Sequence, residues 1–409
     1  MTRRLREGLK TALIVILLLG AAAQFAFLMY SGSEIDSLSE VSKGQSVASP
    51  MIPYCAALPS SGGYSLLTLE RGLKVYCEGA RALLSELFAT MSDPVACGSG
   101  DWESALGLFP AVFYYGADLP LEVISDGEAS ADISCSVMAL VQNTSGSAVY
   151  FKSSEGCYRS ETDIKVSSLF ENVPVLGTPC ALARSLTSAS ALSPETAVPG
   201  NDGSFATLKL SYPALQDWAG QIVSAFGGDG YSVSSFFDEN GQRVCILPDG
   251  LIYLGEGGIR FRAEKNGIDC AELGIEPTGK PLLDAARAAS AVAAACISDR
   301  TGMLGYILSG VEYEGERVIV NMDMLADGIY LIGEDGSRRA ARFEFSEGRL
   351  LLAELTLAHG QLSLSSGGVV LTPSQNAALL LSGQGGGRLE TVFVPVSDGY
   401  ERRLCLLER

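Results

Sequence analysis

The run "GIEPTGKPLLDAARAA" (274–289) sets Gly274 and Gly279 ahead of Lys280 and a helix-forming segment. A phosphate-binding loop uses nearly that spacing. Its backbone N–H groups cradle the phosphates, its lysine reaches them, and a following Ser/Thr hydroxyl ligates Mg²⁺. Here the next residue is Pro281, which has no hydroxyl, and the preceding "DCAELGIEP" is not the buried apolar strand that feeds such a loop. The segment therefore reads as a turn entering a helix, with Thr278 or Gly279 before the first turn and Pro281 within it. No nucleotide is expected.

His359 is the single histidine, placed by "TLAHGQ" at a strand end, where a solvated turn residue is expected. A serine nucleophile needs a base within hydrogen-bond reach, and the chain has neither GxSxG nor SxxK. Zinc ligands come in close-spaced pairs, which one histidine and scattered cysteines do not supply. The Asp-Gly pairs never form a D-x-D-x-D-G calcium loop and read as turns. No acid pair stands out for glycoside hydrolysis. No catalytic, cofactor-binding or metal-binding residue is assigned.

Ten cysteines (55, 77, 97, 135, 157, 180, 245, 270, 296 and 405) contain no CxxC. Outside a cell they could be disulfides, but spacing alone supports no connectivity. Several sit in apolar runs, such as "RVCILP" and "RRLCLLER", where buried free thiols fit. The reading favours mostly unpaired structural cysteines and leaves disulfides open.

These residues must be placed by the elements around them. Residues 1–10 carry Arg3, Arg4, Arg6 and Lys10 against Glu7, and 11–30, "TALIVILLLGAAAQFAFLMY", carries no charge. As a helix, 11–30 spans roughly 30 Å, the thickness of a bilayer core. Basic residues stay on the cytoplasmic side, so 1–10 reads as a cytoplasmic tail and the body as extracytoplasmic. The alternative is a cleaved signal peptide, whose apolar run is shorter, about 7–15 residues. Without those five charged residues, the 29 basic and 47 acidic side chains reduce to a body of net charge −21. Such a charge argues against nucleic acid and against adhesion to an anionic membrane surface.

Residues 31–60, rich in Ser, Gly and Pro, read as a stalk, and 185–204 as an interdomain linker. Between them, 61–184 reads as an N-terminal α+β domain. It comprises a strand at 64–70, an amphipathic helix at 72–90, and a short helix at 101–109 N-capped by Asp101. Strands follow at 111–116, 132–142 and 147–153. The region 205–409 reads as a C-terminal α+β part with subunits 205–275, 276–360 and 361–409. In each of them a helix (213–226, 281–297, 373–382) leads or accompanies a meander. The pairing of "DGLIYLG" (249–255) with "DGIYLIG" (327–333) suggests a weak repeat. In "ARFEFSEG", Arg342 and Glu344 alternate with Phe343 and Phe345, charge on one face and aromatics on the other. The expected fold class is α+β: a transmembrane helix followed by antiparallel sheets with packed helices.

The layout of basic tail, anchor and large exported α+β body resembles the YycH/YycI-type membrane proteins that accompany the WalK sensor kinase of low-GC Gram-positive bacteria. "GDWESALGLFPAVFYYGADLPLEVISDG" (100–127) looks like a segment of clostridial relatives, and "DGIYLIGEDGSRRAARFEFSEGRLLLAELTL" (327–357) is similar to the family's C-terminal hairpin pattern. The resemblance implies a non-enzymatic regulator of a two-component sensor histidine kinase in cell-envelope control. Its partners would be that kinase and a related anchored regulator, its membrane contact residues 11–30. A binding module for a cell-wall polymer or small ligand, held by the same anchor, is the reading from another class.

Overall fold

The computed structural model describes residues 52–407 apart from 61, 145, 168, 170–176, 187, 188, 190, 191, 298–303, 327, 334, 335, 337, 382–387 and 398. The anchor segment 11–30 and most of the stalk lie outside the described residues. The described residues fall in one compact unit. It is an α+β body of two large, mostly antiparallel sheets with six helices among the described residues. None of these helices is long and apolar enough to cross a membrane.

Nine strands make the first sheet: β1 (Cys55–Ser60), β2 (Gly63–Thr68), β3 (Val95–Cys97), β4 (Ala111–Pro120) and β5 (Ser134–Gln142), then β6 (Ser147–Lys152), β7 (Cys157–Thr162), β8 (Thr178–Leu182) and β9 (Ala197–Pro199). Their order is β3-β7-β6-β5-β4-β1-β2-β8-β9. β1 is a correction to the stalk reading. It lies between β2 and β4 with Ala56, Ala57 and Leu58 fully buried, so it belongs to the sheet interior.

One face of this sheet is covered by α1 (Lys74–Thr90), whose buried Tyr76, Cys77, Ala80, Leu84, Leu87 and Phe88 recur at helical spacing. Each large apolar side chain so buried contributes about 1.5–3 kcal/mol before entropy is counted. A five-residue π-helical turn, Leu69–Leu73, leads into α1 where an unbroken α-helix from residue 72 was expected. On the other face lies α2 (Ser99–Leu106), with Trp102 buried. Asp101 is not its N-cap. Gly98 holds that position, and Asp101 Oδ2 reaches back to accept the Gly98 N–H at 3.0 Å, so the acid serves from inside the first turn. A further short helix, α3 (Leu121–Ile124), follows β4.

The second sheet has fourteen strands. They begin with β10 (Asn201–Ser211), β11 (Ser235–Phe237), β12 (Arg243–Leu247), β13 (Gly250–Leu254), β14 (Gly258–Ala263) and β15 (Ile268–Asp269). After a helix come β16 (Leu304–Glu314), β17 (Arg317–Ala326), β18 (Ile329–Leu331), β19 (Arg339–Ser346) and β20 (Arg349–Thr356). β21 (His359–Leu371), β22 (Arg388–Val396) and β23 (Gly399–Leu407) complete the set. The main path is β11-β12-β13-β14-β20-β19-β17-β18-β22-β23-β10-β21, with β15 on β20 and β16 on β17.

The three expected C-terminal subunits thus share one sheet. β14 pairs with β20, and β10 pairs with both β21 and β23. The two similar heptads also play different parts: β13 sits between antiparallel neighbours, whereas the three-residue β18 runs parallel to β22.

Three more helices accompany this sheet. α4 (Ala219–Ala225) follows a 3₁₀ turn at Leu215–Trp218, where one continuous helix from Pro213 was expected. α5 occupies Pro281–Ile297, as its pattern indicated, and α6 Pro373–Leu381. The alanines of α5 let it pack on several sides at once: Leu283, Ala286, Ala289, Val292 and Ala293 are all buried, and α3, α4, β16 and β17 surround it.

The two sheets meet where β16 runs beside β4. β4 bulges here, its register on β5 jumping between Tyr114 and Leu119. The bulge holds Gly116 at φ 77°, and Tyr330 of β18 packs against it. Tyr54 lies 4.9 Å from the Tyr330 ring. Arg287 of α5 adds a 2.8 Å ion pair to Asp126 just past α3. Residues 185–204, expected as a linker, carry β9 and the buried Glu195 and Thr196.

Candidate functional site

The outer face of the second sheet gathers four arginines, Arg260, Arg262, Arg339 and Arg342, around one groove. In β14, "GIRFRA", Ile259 and Phe261 point into the core, so the pleat sends Arg260 and Arg262 outward. In β19, Phe343 and Phe345 are buried and Arg342 and Glu344 face out by the same alternation. Register then aligns Tyr253, Arg260, Glu354, Arg342 and Asn321 in one row across β13, β14, β20, β19 and β17.

Along that row charges alternate. Arg260 Nε lies 3.3 Å from Glu354 Oε1, and Arg342 Nη2 lies 3.0 Å from Glu314 and 3.1 Å from Glu344. Arg317 reaches the other Glu344 oxygen at 2.6 Å. Burial works against the Arg342 charge, but its hydrogen bonds to Glu314 and Glu344 outweigh that and raise its pKa above the ordinary value.

The row borders an open groove of about 700 Å³, closed at one side by the β11–β12 turn. Asp238 shapes that turn, its Oδ1 accepting the N–H groups of Asn240 at 2.9 Å and Gln242 at 2.8 Å. Arg262 and Arg339 also line the groove and are exposed, with no ion-pair partner among the described residues. Guanidinium groups with free donor edges recognise carboxylates and phosphates through paired hydrogen bonds. The groove can therefore hold an anionic group, oriented by the fixed Arg–Glu ladder beside it.

A second polar cluster is enclosed under α2. Glu195 is buried, and its carboxylate accepts a 2.8 Å charge-assisted bond from Lys152 and a 3.2 Å bond from Trp102 Nε1. Tyr114 donates to the Glu195 carbonyl at 2.6 Å, and the Lys152 ammonium stands 5.6 Å from the Trp102 ring centroid. Every polar end of this cluster finds a partner, as buried charge requires, and it ties segment 185–204 to the first sheet.

The phosphate-loop lookalike is occupied by its own helix. Asp284 of α5 accepts the Thr278 N–H at 3.0 Å and the Thr278 hydroxyl at 2.7 Å, and Lys280 Nζ donates to the Gly127 carbonyl. His359 is exposed at the first position of β21, opposite Ser211. Seven cysteines are buried, and Cys97, Cys157 and Cys405 are half-buried. No group of three or more His, Cys, Asp or Glu able to hold a metal occurs among the described residues.

Sequence reasoning picked out the Arg342–Glu344 alternation but passed over Arg260, Arg262 and Arg339. The signal was present in "GIRFRA", whose period of two matches that of "ARFEF". Glu195 gave no such signal. No known protein family, curated protein or solved structure matches the chain.

Proposed function

We propose that the chain is a single-pass, membrane-anchored accessory regulator of a two-component sensor histidine kinase controlling the cell envelope. In this reading residues 1–10 lie in the cytoplasm, 11–30 cross the membrane as a helix, and the two-sheet body works outside as a non-enzymatic binding surface. The observation that carries it is the arginine groove on the outer sheet face, whose side chains bind by charge and hydrogen bonding. "LGAAA" (19–23) supports close packing of the anchor against the kinase's own helices. The regulator biases the kinase only if it binds one signalling state more tightly than the other.

The test is co-purification in detergent with the full-length protein. The kinase should be retained by wild type and lost from an Arg262→Glu, Arg339→Glu variant. A body that never retains a kinase yet binds purified wall polymer through the same arginines would replace this reading with the second. That second reading, an anchored module for an anionic cell-wall polymer or small ligand, is favoured by the groove's open shape.

A further inference from the structure

Cys97 and Cys157 face each other directly across β3 and β7, and their sulfur atoms are 2.7 Å apart. Opposed residues on antiparallel strands have Cα atoms about 4.5–5.5 Å apart, within the range a disulfide spans. Both side chains are half-buried, so a small oxidant reaches them, whereas seven of the other eight cysteines are buried. The remaining half-buried one, Cys405, lies in β23 opposite Glu390 and has no such partner across its strand pair.

We propose that Cys97 and Cys157 are a disulfide-forming pair that clamps the edge strand β3 onto the first sheet. β3 has only three residues and pairs with β7 alone, and Val95 is largely exposed. Such an edge opens readily unless fixed. The strand leads through Gly98 into α2, whose Trp102 bonds the buried Glu195 beside Lys152. A bond at residue 97 therefore also fixes the entry of the helix that closes that cluster.

The reaction is thiol–disulfide exchange with a disulfide-bearing oxidant, R–S–S–R, supplied by an exported thiol oxidase or by glutathione disulfide. One cysteine thiolate attacks the oxidant and forms a mixed disulfide, expelling R–S⁻, which takes up the released proton. The second thiolate then attacks the cysteine sulfur of that mixed bond and expels the other R–S⁻, which is protonated in turn. Two thiols are oxidised by two electrons, one disulfide is reduced, and two R–SH leave. Burial, then the hydrogen bond and charge of Cys97, hold the Cys157 thiol well above its ordinary pKa. Exchange should accordingly be slow at neutral pH without a catalyst.

The proposal rests on the exported placement only for its occurrence in cells, so the experiment has two arms. Full-length protein is reduced, exposed to glutathione disulfide, alkylated and digested after Lys, Arg and Glu. These cuts release Cys97 within 87–103 and Cys157 within 156–159, free of other cysteines. The expected product is a linked 87–103/156–159 peptide with Cys405 still alkylated. Glutathione adducts without a linked peptide, or Cys97 bonded to another cysteine, would overturn the proposal.

A melting comparison adds a physical readout. Dithiothreitol should lower the melting temperature of the oxidised wild type by about 5 °C and leave Cys97→Ser/Cys157→Ser unmoved. An equal response in both would also overturn it. In the second arm the same map is made on protein alkylated inside its native membrane. A bond formed in vitro with free thiols in cells upholds the site and overturns the exported placement instead.

Discussion

Gly116→Ala tests whether the two sheets stand or fall together. Gly116 sits in the β4 bulge at φ 77°, a conformation that costs a residue with a Cβ about 1–2 kcal/mol. A Cβ built there lies 2.1 Å from the Tyr330 hydroxyl oxygen, 3.3 Å from Cζ and 3.5 Å from Tyr54 Cδ1. Tyr330 is only 2% exposed, with Tyr54 on one side and Arg338 4.9 Å from its ring centroid, so it has little room to yield. Overpacking of that kind costs a further 1–3 kcal/mol or so. The sum is about 2–5 kcal/mol, enough to lower a urea midpoint by roughly 1 M.

The chain holds two tryptophans, Trp102 under the first sheet and Trp218 beside the second, so variants keeping one or the other report each half by fluorescence. Both midpoints should fall together in Gly116→Ala. Placing the substitution in a Tyr330→Phe background should recover the steric part, a coupling of about 1–3 kcal/mol, and leave the backbone part. A loss below about 0.5 kcal/mol, or a shift seen by one tryptophan alone, would refute the reasoning.

Burial raises the Glu122 pKa most, Asp132 and Asp284 raise it further, and Lys280 opposes them. The folded state therefore holds the proton more tightly, and this contribution to stability fades as pH rises through and above the ordinary carboxylate range. Glu122→Gln should gain on wild type between about pH 4 and about pH 7 in urea titrations, and the opposite trend would contradict the assignment. Burial pushes the thiols of Cys77, Cys135 and Cys296 up to about 12, so iodoacetamide at about pH 8 should modify them only once urea unfolds the body. Leu18→Arg should release the chain from sedimented membranes, and unchanged retention would remove 11–30 as the anchor.

Local chemistry made some of this fold legible. Asn240-Gly241 and Gly257-Gly258 mark turns, and Gly241 and Gly257 do adopt positive φ. α5 is readable because alanine and leucine at helical spacing leave few alternatives. β1 was not readable, because "CAALPS" is short, has no period of two and carries a proline, and it becomes a strand only by lying between β2 and the distant β4. β21 likewise depends on β10, far earlier in the chain. The groove divides the same way. Period two sends Arg260, Arg262 and Arg342 outward, but they share one surface because β14 pairs with β20 and β20 with β19. Non-local pairing of that kind leaves no mark on any single window of residues.

The energetics of the ladder also bear on what it is for. Exposed ion pairs of this sort are worth about 0–1 kcal/mol each, so the arginines on the outer face add little to stability. They stand on a chain of net charge −18, whose overall field is screened beyond the Debye length of about 8 Å at physiological salt and so steers nothing from afar. Inside that distance the exposed Arg262 and Arg339 dominate. A groove attractive at contact and without long-range steering suits a partner already held nearby. A protein in the same membrane satisfies this by effective concentration and needs no steering, whereas a free polymer must find the groove by diffusion alone. The charge distribution therefore favours the anchored regulator over the polymer-binding module among the two proposed functions.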